Sequence, residues 1–182
     1  MQIKTFIYLA SAFLLFMGNI SCIKDVDFDQ AGEITMQPEI QTDLLIFEID
    51  QKDFVDPVTN QLRQVIRDTV RLEFLDDSYI QDDLEQVEFS FKYRNTFSQS
   101  FTNKISFLSE NDRLQHQVDF YIAAGSPGDP AVTEKIDLIG PDRIQVIKRS
   151  IKMVVEIVVM PNDQPFTGKL NFESKGLFSF QF

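Results

Sequence analysis

The sequence predicts an all-β domain, a sandwich of about seven to eight antiparallel strands with little helix. Three observations lead there. Apolar side chains recur at every second position through most of the chain, which sets them on one face of a strand and not along the stripe of a helix. Clusters of proline, aspartate, asparagine and glycine interrupt these runs at short intervals. Fifteen of the 18 phenylalanines lie after residue 22, enough for a substantial core in one domain of about 140 residues.

The alternation defines each strand in turn. The first spans 43–50 with Leu45, Phe47 and Ile49 on one face, and the second spans 68–75 with Val70, Leu72 and Phe74. From 86 to 95, Val87, Phe89, Phe91 and Tyr93 alternate with Glu88, Ser90, Lys92 and Arg94, the strongest strand pattern in the chain. The next two spans, 101–108 (Phe101, Ile105, Phe107) and 114–122 (Leu114, Val118, Phe120, Ile122), read as a hairpin across Ser109–Arg113. A sixth strand covers 132–139 with Ile136 and Leu138 as its apolar set. In 150–160 one face carries Ile151, Met153, Val155, Ile157 and Val159, while Val154, Val158 and Met160 make the other partly apolar, so a central strand is expected. The last element, 168–182, sets Leu170, Phe172, Phe178, Phe180 and Phe182 in one register. Turns fall at Asp56-Pro57, Ser126–Pro130, Gly140-Pro141 and Pro161–Asp163, and helix is confined to a turn near 78–84 and another near 141–148. An immunoglobulin/fibronectin-like β-sandwich is the expected class, with a small barrel as the alternative.

Residues 1–22, MQIKTFIYLASAFLLFMGNISC, do not belong to that domain. One lysine precedes a charge-free apolar stretch from Thr5 to Ser21, too short to span a bilayer comfortably, and a polar segment follows. This is the pattern of an export signal, and Ser21 precedes the sole cysteine, Cys22, which has no internal disulfide partner. The stretch resembles the lipoprotein signals of Gram-negative bacteria. That resemblance implies acylation of Cys22 and a membrane-held protein with no spanning helix; an unmodified cysteine behind an ordinary secretory signal is the alternative. Asp25, Asp27 and Asp29 follow at once, and this acidic stretch resembles the surface-export signal of Bacteroidota lipoproteins. It implies an outer-membrane location facing the cell surface, with the periplasmic face as alternative. The organisation is then signal 1–21, acidic tether 22–40 and a single domain 41–182. The alternating aspartates do not make a calcium loop, because Gln30 stands at its sixth position and Met36 at its twelfth.

The segment 91–126 resembles the sandwich domains of the late-embryogenesis-abundant type 2 family. Asn95 ends a strand, a hairpin occupies 101–122, and Ala124-Gly125 follows. The resemblance implies a sandwich and nothing about function. The terminal Phe178, Phe180 and Phe182 resemble the last strand of outer-membrane β-barrels; against a barrel stand the absence of tryptophan, the lipid signal and the Lys175-Gly176 interruption. Asp68-Thr69-Val70 is similar to the O-glycosylation motif of exported Bacteroidota proteins, which would make Thr69 the acceptor.

Removal of residues 1–21 takes only Lys4 from the charged residues, leaving 16 basic against 28 acidic side chains and a formal charge of −12. Such a surface repels nucleic acid, so no nucleic-acid partner is expected. His116 is the single histidine, on the face of Leu114 and Val118, and reads as a partly buried residue beside the Ser109–Arg113 turn. Paired carboxylates that could serve a hydrolase have no defined spacing here. Asp76, Asp77, Asp82 and Asp83 form the cluster to consider for calcium; no metal or cofactor is otherwise expected. The leading expectation is a non-enzymatic envelope lipoprotein with an unknown protein or glycan partner, its loops 51–62, 124–131 and 161–167 offered for contact. A hydrolase using acidic residues and a structural spacer are the competing classes.

Overall fold

Eight strands form where the alternation places them. The computed structural model describes residues 37–182, and its strands are β1 (Glu39–Asp50), β2 (Val65–Arg71), β3 (Leu84–Asn95), β4 (Ser100–Leu108), β5 (Leu114–Ile122), β6 (Ala131–Ile139), β7 (Lys152–Met160) and β8 (Lys169–Phe180). Helix is limited to a 3-10 turn (Glu73–Asp76), α1 (Ser78–Asp83) and α2 (Gln145–Lys148). The export signal, Cys22 and most of the tether lie outside the described residues.

The strands make two antiparallel four-stranded sheets, ordered β1-β8-β3-β6 and β2-β7-β4-β5. Every connection except the β4–β5 hairpin crosses from one sheet to the other. That is the strand order of a jelly roll, whereas an immunoglobulin-type sandwich groups its strands as ABED and CFG. Periodicity selects the faces of a strand and leaves its neighbours open, so the sandwich is legible in the sequence and this order is not. The sheets remain separate and close no barrel. β8, whose terminal phenylalanines resemble the last strand of a barrel, is instead central in an open sheet between β1 and β3, with Phe178 and Phe180 buried.

Phenylalanine interlocks the two sheets. Phe89 of β3 stacks on Phe107 of β4 at 4.6 Å between ring centroids, while Phe91 and Tyr93 reach Phe120 of β5 at 6.2 and 5.9 Å. Within one sheet Tyr93 also stacks on Phe172 at 4.5 Å. Each such ring contributes about 1.5–3 kcal/mol through burial alone. The Tyr93 hydroxyl donates to Asn103 Oδ1 at 2.9 Å in this core, and burial holds its pKa well above the usual phenol value, so it stays a neutral donor.

Three details depart from the periodicity. The second strand begins earlier and ends at Arg71, because Leu72 turns into the core and Phe74 lies in the 3-10 turn. Ile136 and Leu138 face outward and are exposed; pairing with β3 puts Ile139 beside Val87 and Asp137 beside Phe89, so the inner positions of β6 fall on the odd numbers. Leu114 is exposed too, since the β4–β5 ladder shifts register between Phe107 and Leu108 and separates it from the inward His116 and Val118.

The register also sorts the connections into two poles. Asp50 lies opposite Lys169, Asn95 opposite Ala131, Ser100 opposite Met160 and Val65 opposite Val158. Segments 51–64, 96–99, 123–130 and 161–168 therefore share one end, and 72–83, 109–113 and 140–151 share the other, where the described chain also begins. At the first pole Asn95 joins three strands. Its Nδ2 donates to the carbonyls of Gln99 (2.9 Å) and Ala123 (2.8 Å), and its Oδ1 accepts the Phe97 N–H at 2.8 Å. Gly125 donates its N–H to Phe97 O at 2.8 Å and packs so closely that a Cβ there would lie 2.6 Å from Ala131 N. The residues carrying the resemblance to the late-embryogenesis-abundant family thus meet at one junction. Asn95→Ala strands several buried polar groups and Gly125→Ala forces backbone apart, so each should lower unfolding free energy by about 3 kcal/mol. Urea titration of each variant against wild type, followed by fluorescence or circular dichroism, measures this.

Candidate functional site

The three loops expected to make contacts, 51–62, 124–131 and 161–167, gather at the Asn95 pole. Aromatic packing holds two of them. Phe54, fully buried, meets Phe97 at 6.0 Å, Phe101 at 5.8 Å and Phe166 at 5.1 Å, and Phe97 stacks on Phe166 at 4.8 Å. Polar contacts complete the joint. Gln99 Nε2 donates to Asn162 Oδ1 (2.7 Å) and Gln164 O (2.9 Å), Asn162 Nδ2 donates to Ser98 O (2.8 Å), and Lys169 N donates to Thr96 Oγ1 (2.7 Å).

From this base the first loop projects a finger closed by the Val55–Leu62 bridge. Asp56 organises it as an Asx turn: Oδ1 accepts the N–H groups of Val58 (2.9 Å) and Thr59 (3.0 Å), and Oδ2 accepts Arg63 Nη2 at 2.6 Å and Nε at 3.1 Å. Asn60 takes a left-handed φ of 55°, a conformation asparagine tolerates. The result is a fixed tip on which Val58 is 91% exposed, above a groove of about 650 Å³ lined by Val55, Pro57, Leu62 and Phe166. An apolar residue held out into solvent by a rigid turn suits protein recognition, because little conformational freedom is lost on contact.

The Asp56 carboxyl is held well below the usual carboxylate range by hydrogen bonds from Thr59 N–H, Arg63 and Val58 N–H. Its folded pKa lies below its unfolded value, so its contribution is complete at neutral pH and is lost as pH falls through that lowered value. Asp56→Ala should therefore raise hydrogen-exchange rates at the Val58 and Thr59 amides at pH 7 while leaving the Asn95 junction protected; amide exchange measured by mass spectrometry or NMR tests this.

The other singled-out residues lie elsewhere. His116 is buried near the opposite pole, with Nε2 2.6 Å from Asp137 Oδ2 and Nδ1 3.2 Å from Arg143 Nη2, and its ring tilted against Phe107. Both ring nitrogens are engaged by side chains of β6 and the segment before α2, so the imidazole ties these to β5 and has no nitrogen turned to a substrate. Thr69 is exposed on the outer face of β2. Asp76 ends the 3-10 turn, Asp77 is the N-cap of α1 and Asp82 and Asp83 are its last two residues, and among the described residues no group of three or more histidine, cysteine, aspartate or glutamate side chains is arranged to hold a metal ion. Where a carboxylate pKa is displaced, at Glu48, Asp56 and Asp112, it is lowered, led at Glu48 by the Lys169 hydrogen bond and at Asp112 by that of Lys152; a general acid needs the reverse. The sequence places a turn at Asp56-Pro57 and a contact loop at 51–62; the Arg63 clamp on Asp56 and the exposure of Val58 emerge only from the structure.

No protein-family profile and no curated protein sequence matches the chain. Among solved structures it is similar to the VP2 subviral particle protein of infectious bursal disease virus, at 8% identity and a TM-score of 0.40 over 81% of this chain and 33% of that one. A protein described as secreted from Parabacteroides distasonis ATCC 8503 is 16% identical, with a TM-score of 0.46 over 63% of this chain and 37% of its own. The enzymatically active domain of bacteriophage CBA120 tailspike protein 4 is 12% identical, with a TM-score of 0.39 over 79% of this chain and 19% of its own. The chain thus spans about a third or less of the first and last of these and 37% of the second. Among the described residues no helix is long and apolar enough to cross a membrane. The assignment of the fold rests on the strand order and register of the chain itself.

Proposed function

We propose that this protein is a non-enzymatic lipoprotein of the cell envelope, held at the outer membrane through an acylated Cys22 and presenting the Asn95 pole to a protein or glycan partner. The observation that supports the reading is polarity. The domain begins at the pole opposite the finger, so Val58 and its neighbouring loops lie at the end of the domain away from the point where the chain enters it. Several acyl chains on one cysteine give a stable hold, where a single chain is marginal. The acidic surface keeps the domain off anionic head groups and in solution around its anchor. Thr69 stands on the outer face of a sheet, clear of both poles, so a glycan attached there would leave the loops free.

Two measurements test this. Wild-type protein should partition with the detergent phase, and Cys22→Ser should be released or remain unprocessed; unchanged partitioning removes the anchor from the account. A photo-crosslinking residue at position 58 should capture a defined envelope component in intact cells, and the same residue at position 106 on a sheet face should not. Equal capture at both positions would take the loops out of the role. Protease added to intact cells separates the two membrane faces, since only a surface-facing domain is degraded.

A further inference from the structure

At the pole where the described chain begins, a second groove has the opposite character to the finger. It is lined by Ile40, Phe74, Tyr79, Ile80, Phe178 and Phe180, with a volume of about 260 Å³. Ile80, Phe178 and Phe180 make a buried floor, while Ile40 and Tyr79 form lips that are 49% and 42% exposed. The walls are fixed. Phe74 packs edge-on against Phe178 at 5.4 Å, Tyr79 lies tilted against Phe180 at 5.9 Å, and the Phe178 ring lies where a side chain on Gly176 would stand, 2.5 Å from an added Cβ. Behind them Gln81 Nε2 donates to Leu75 O (2.6 Å) and Lys148 O (2.7 Å), which locks α1 to the segment carrying α2.

The charge around this groove is of one sign. Residues 73–85 hold Glu73, Asp76, Asp77, Asp82, Asp83 and Glu85 with no basic residue, and Glu39 stands beside Ile40. Arg71 pairs with Glu73, but Asp76, Asp77, Asp82, Asp83, Glu85 and Glu39 form no ion pair among the described residues. Lys148, whose ammonium reaches α1, is buried and points at the carbonyls of Gln81 (2.9 Å) and Asp82 (3.4 Å), not outward. An apolar groove rimmed by unpaired carboxylates repels a second copy of this acidic chain and repels anionic lipid, and it attracts apolar side chains flanked by cations. β1 is also the edge of its sheet; Ile40 turns its own N–H and C=O to Phe178, and the flanking Glu39 and Gln41 present theirs on the side away from β8, where an extended segment can pair.

We infer that this groove is a docking site for an extended segment of a protein partner in which lysine or arginine alternates with large apolar residues. The site goes beyond the role proposed for the loops and does not depend on it, because it lies at the other pole and uses none of the same residues.

The test uses purified full-length protein in detergent and three labelled heptapeptides followed by fluorescence anisotropy: alternating Lys and Leu, alternating Lys and Ser, and alternating Glu and Leu. The Lys/Leu peptide should bind at least about tenfold more tightly than either other peptide, and its affinity should fall as salt rises from about 50 mM to about 500 mM. Tyr79→Ser, and separately the fourfold change of Asp76, Asp77, Asp82 and Asp83 to Asn, should each weaken it by about tenfold, while Val58→Asp at the far pole leaves it unchanged. Asp76→Lys with Asp82→Lys should transfer preference to the Glu/Leu peptide, a gain that an unfolded variant cannot mimic. Equal binding of the Lys/Ser peptide, or indifference to Tyr79→Ser and to the charge exchange, overturns the proposal. Because Val58→Asp disables only the finger, failure here leaves the loop reading standing, and failure there leaves this one.

Discussion

The side-chain amide of Asn95 is the constraint on which the pole carrying the finger depends. A jelly roll must carry its chain between sheets at nearly every connection, and each crossing exposes main-chain groups that no ladder satisfies. Asn95 meets three of them at once, from the start of β4, the end of β5 and the turn between β3 and β4. With the β3–β4 crossing fixed, Phe97 is set beneath Phe54 and Phe166, and the loops above have a floor to stand on. Removal of the amide would leave buried carbonyls without donors, a cost that water could not relieve in a junction this closed.

Strand content was legible because a half-buried strand writes its faces into alternate positions, as Phe89, Phe91 and Tyr93 do against Lys92 and Arg94. All eight strands could be read in this way, although the 3-10 turn Glu73–Asp76 falls where the alternation extends the second strand. The errors share one cause. Ile136 and Leu138 look like core residues by composition, but a strand at the edge of a sheet takes its facing from its neighbour, and β3 fixes Asp137 and Ile139 inward. Strand order was hidden for the same reason: no local pattern states that β8 inserts between β1 and β3. Of the candidate sites, the three loops could be named from their turn residues, whereas their convergence follows from register. The apolar groove at the far pole draws on residues from 40 to 180, and no single window of sequence holds it.

Electrostatics separates the two ends. Near the finger, carboxylates are neutralised close at hand, Asp56 by Arg63 and Glu48 by Lys169, so charge there serves geometry. Around α1 the carboxylates form no ion pair among the described residues, and the buried Lys148 ammonium is spent on helix carbonyls. Surface ion pairs contribute little to stability, so this division has small thermodynamic weight and its effect falls on which molecules can approach each end.

The position of β8 has a consequence for how the molecule is made. Twelve residues drawn from the end of the described sequence occupy the middle of a sheet, hydrogen-bonded on both sides. Until they arrive, β1 and β3 have no common neighbour, and Phe89, Phe91 and Tyr93 lack the rings of Phe172 and Phe178 against which they pack. The second sheet, β2-β7-β4-β5, can therefore pair before β8 is available, whereas β1 has no other ladder partner, so completion of the first sheet waits on β8.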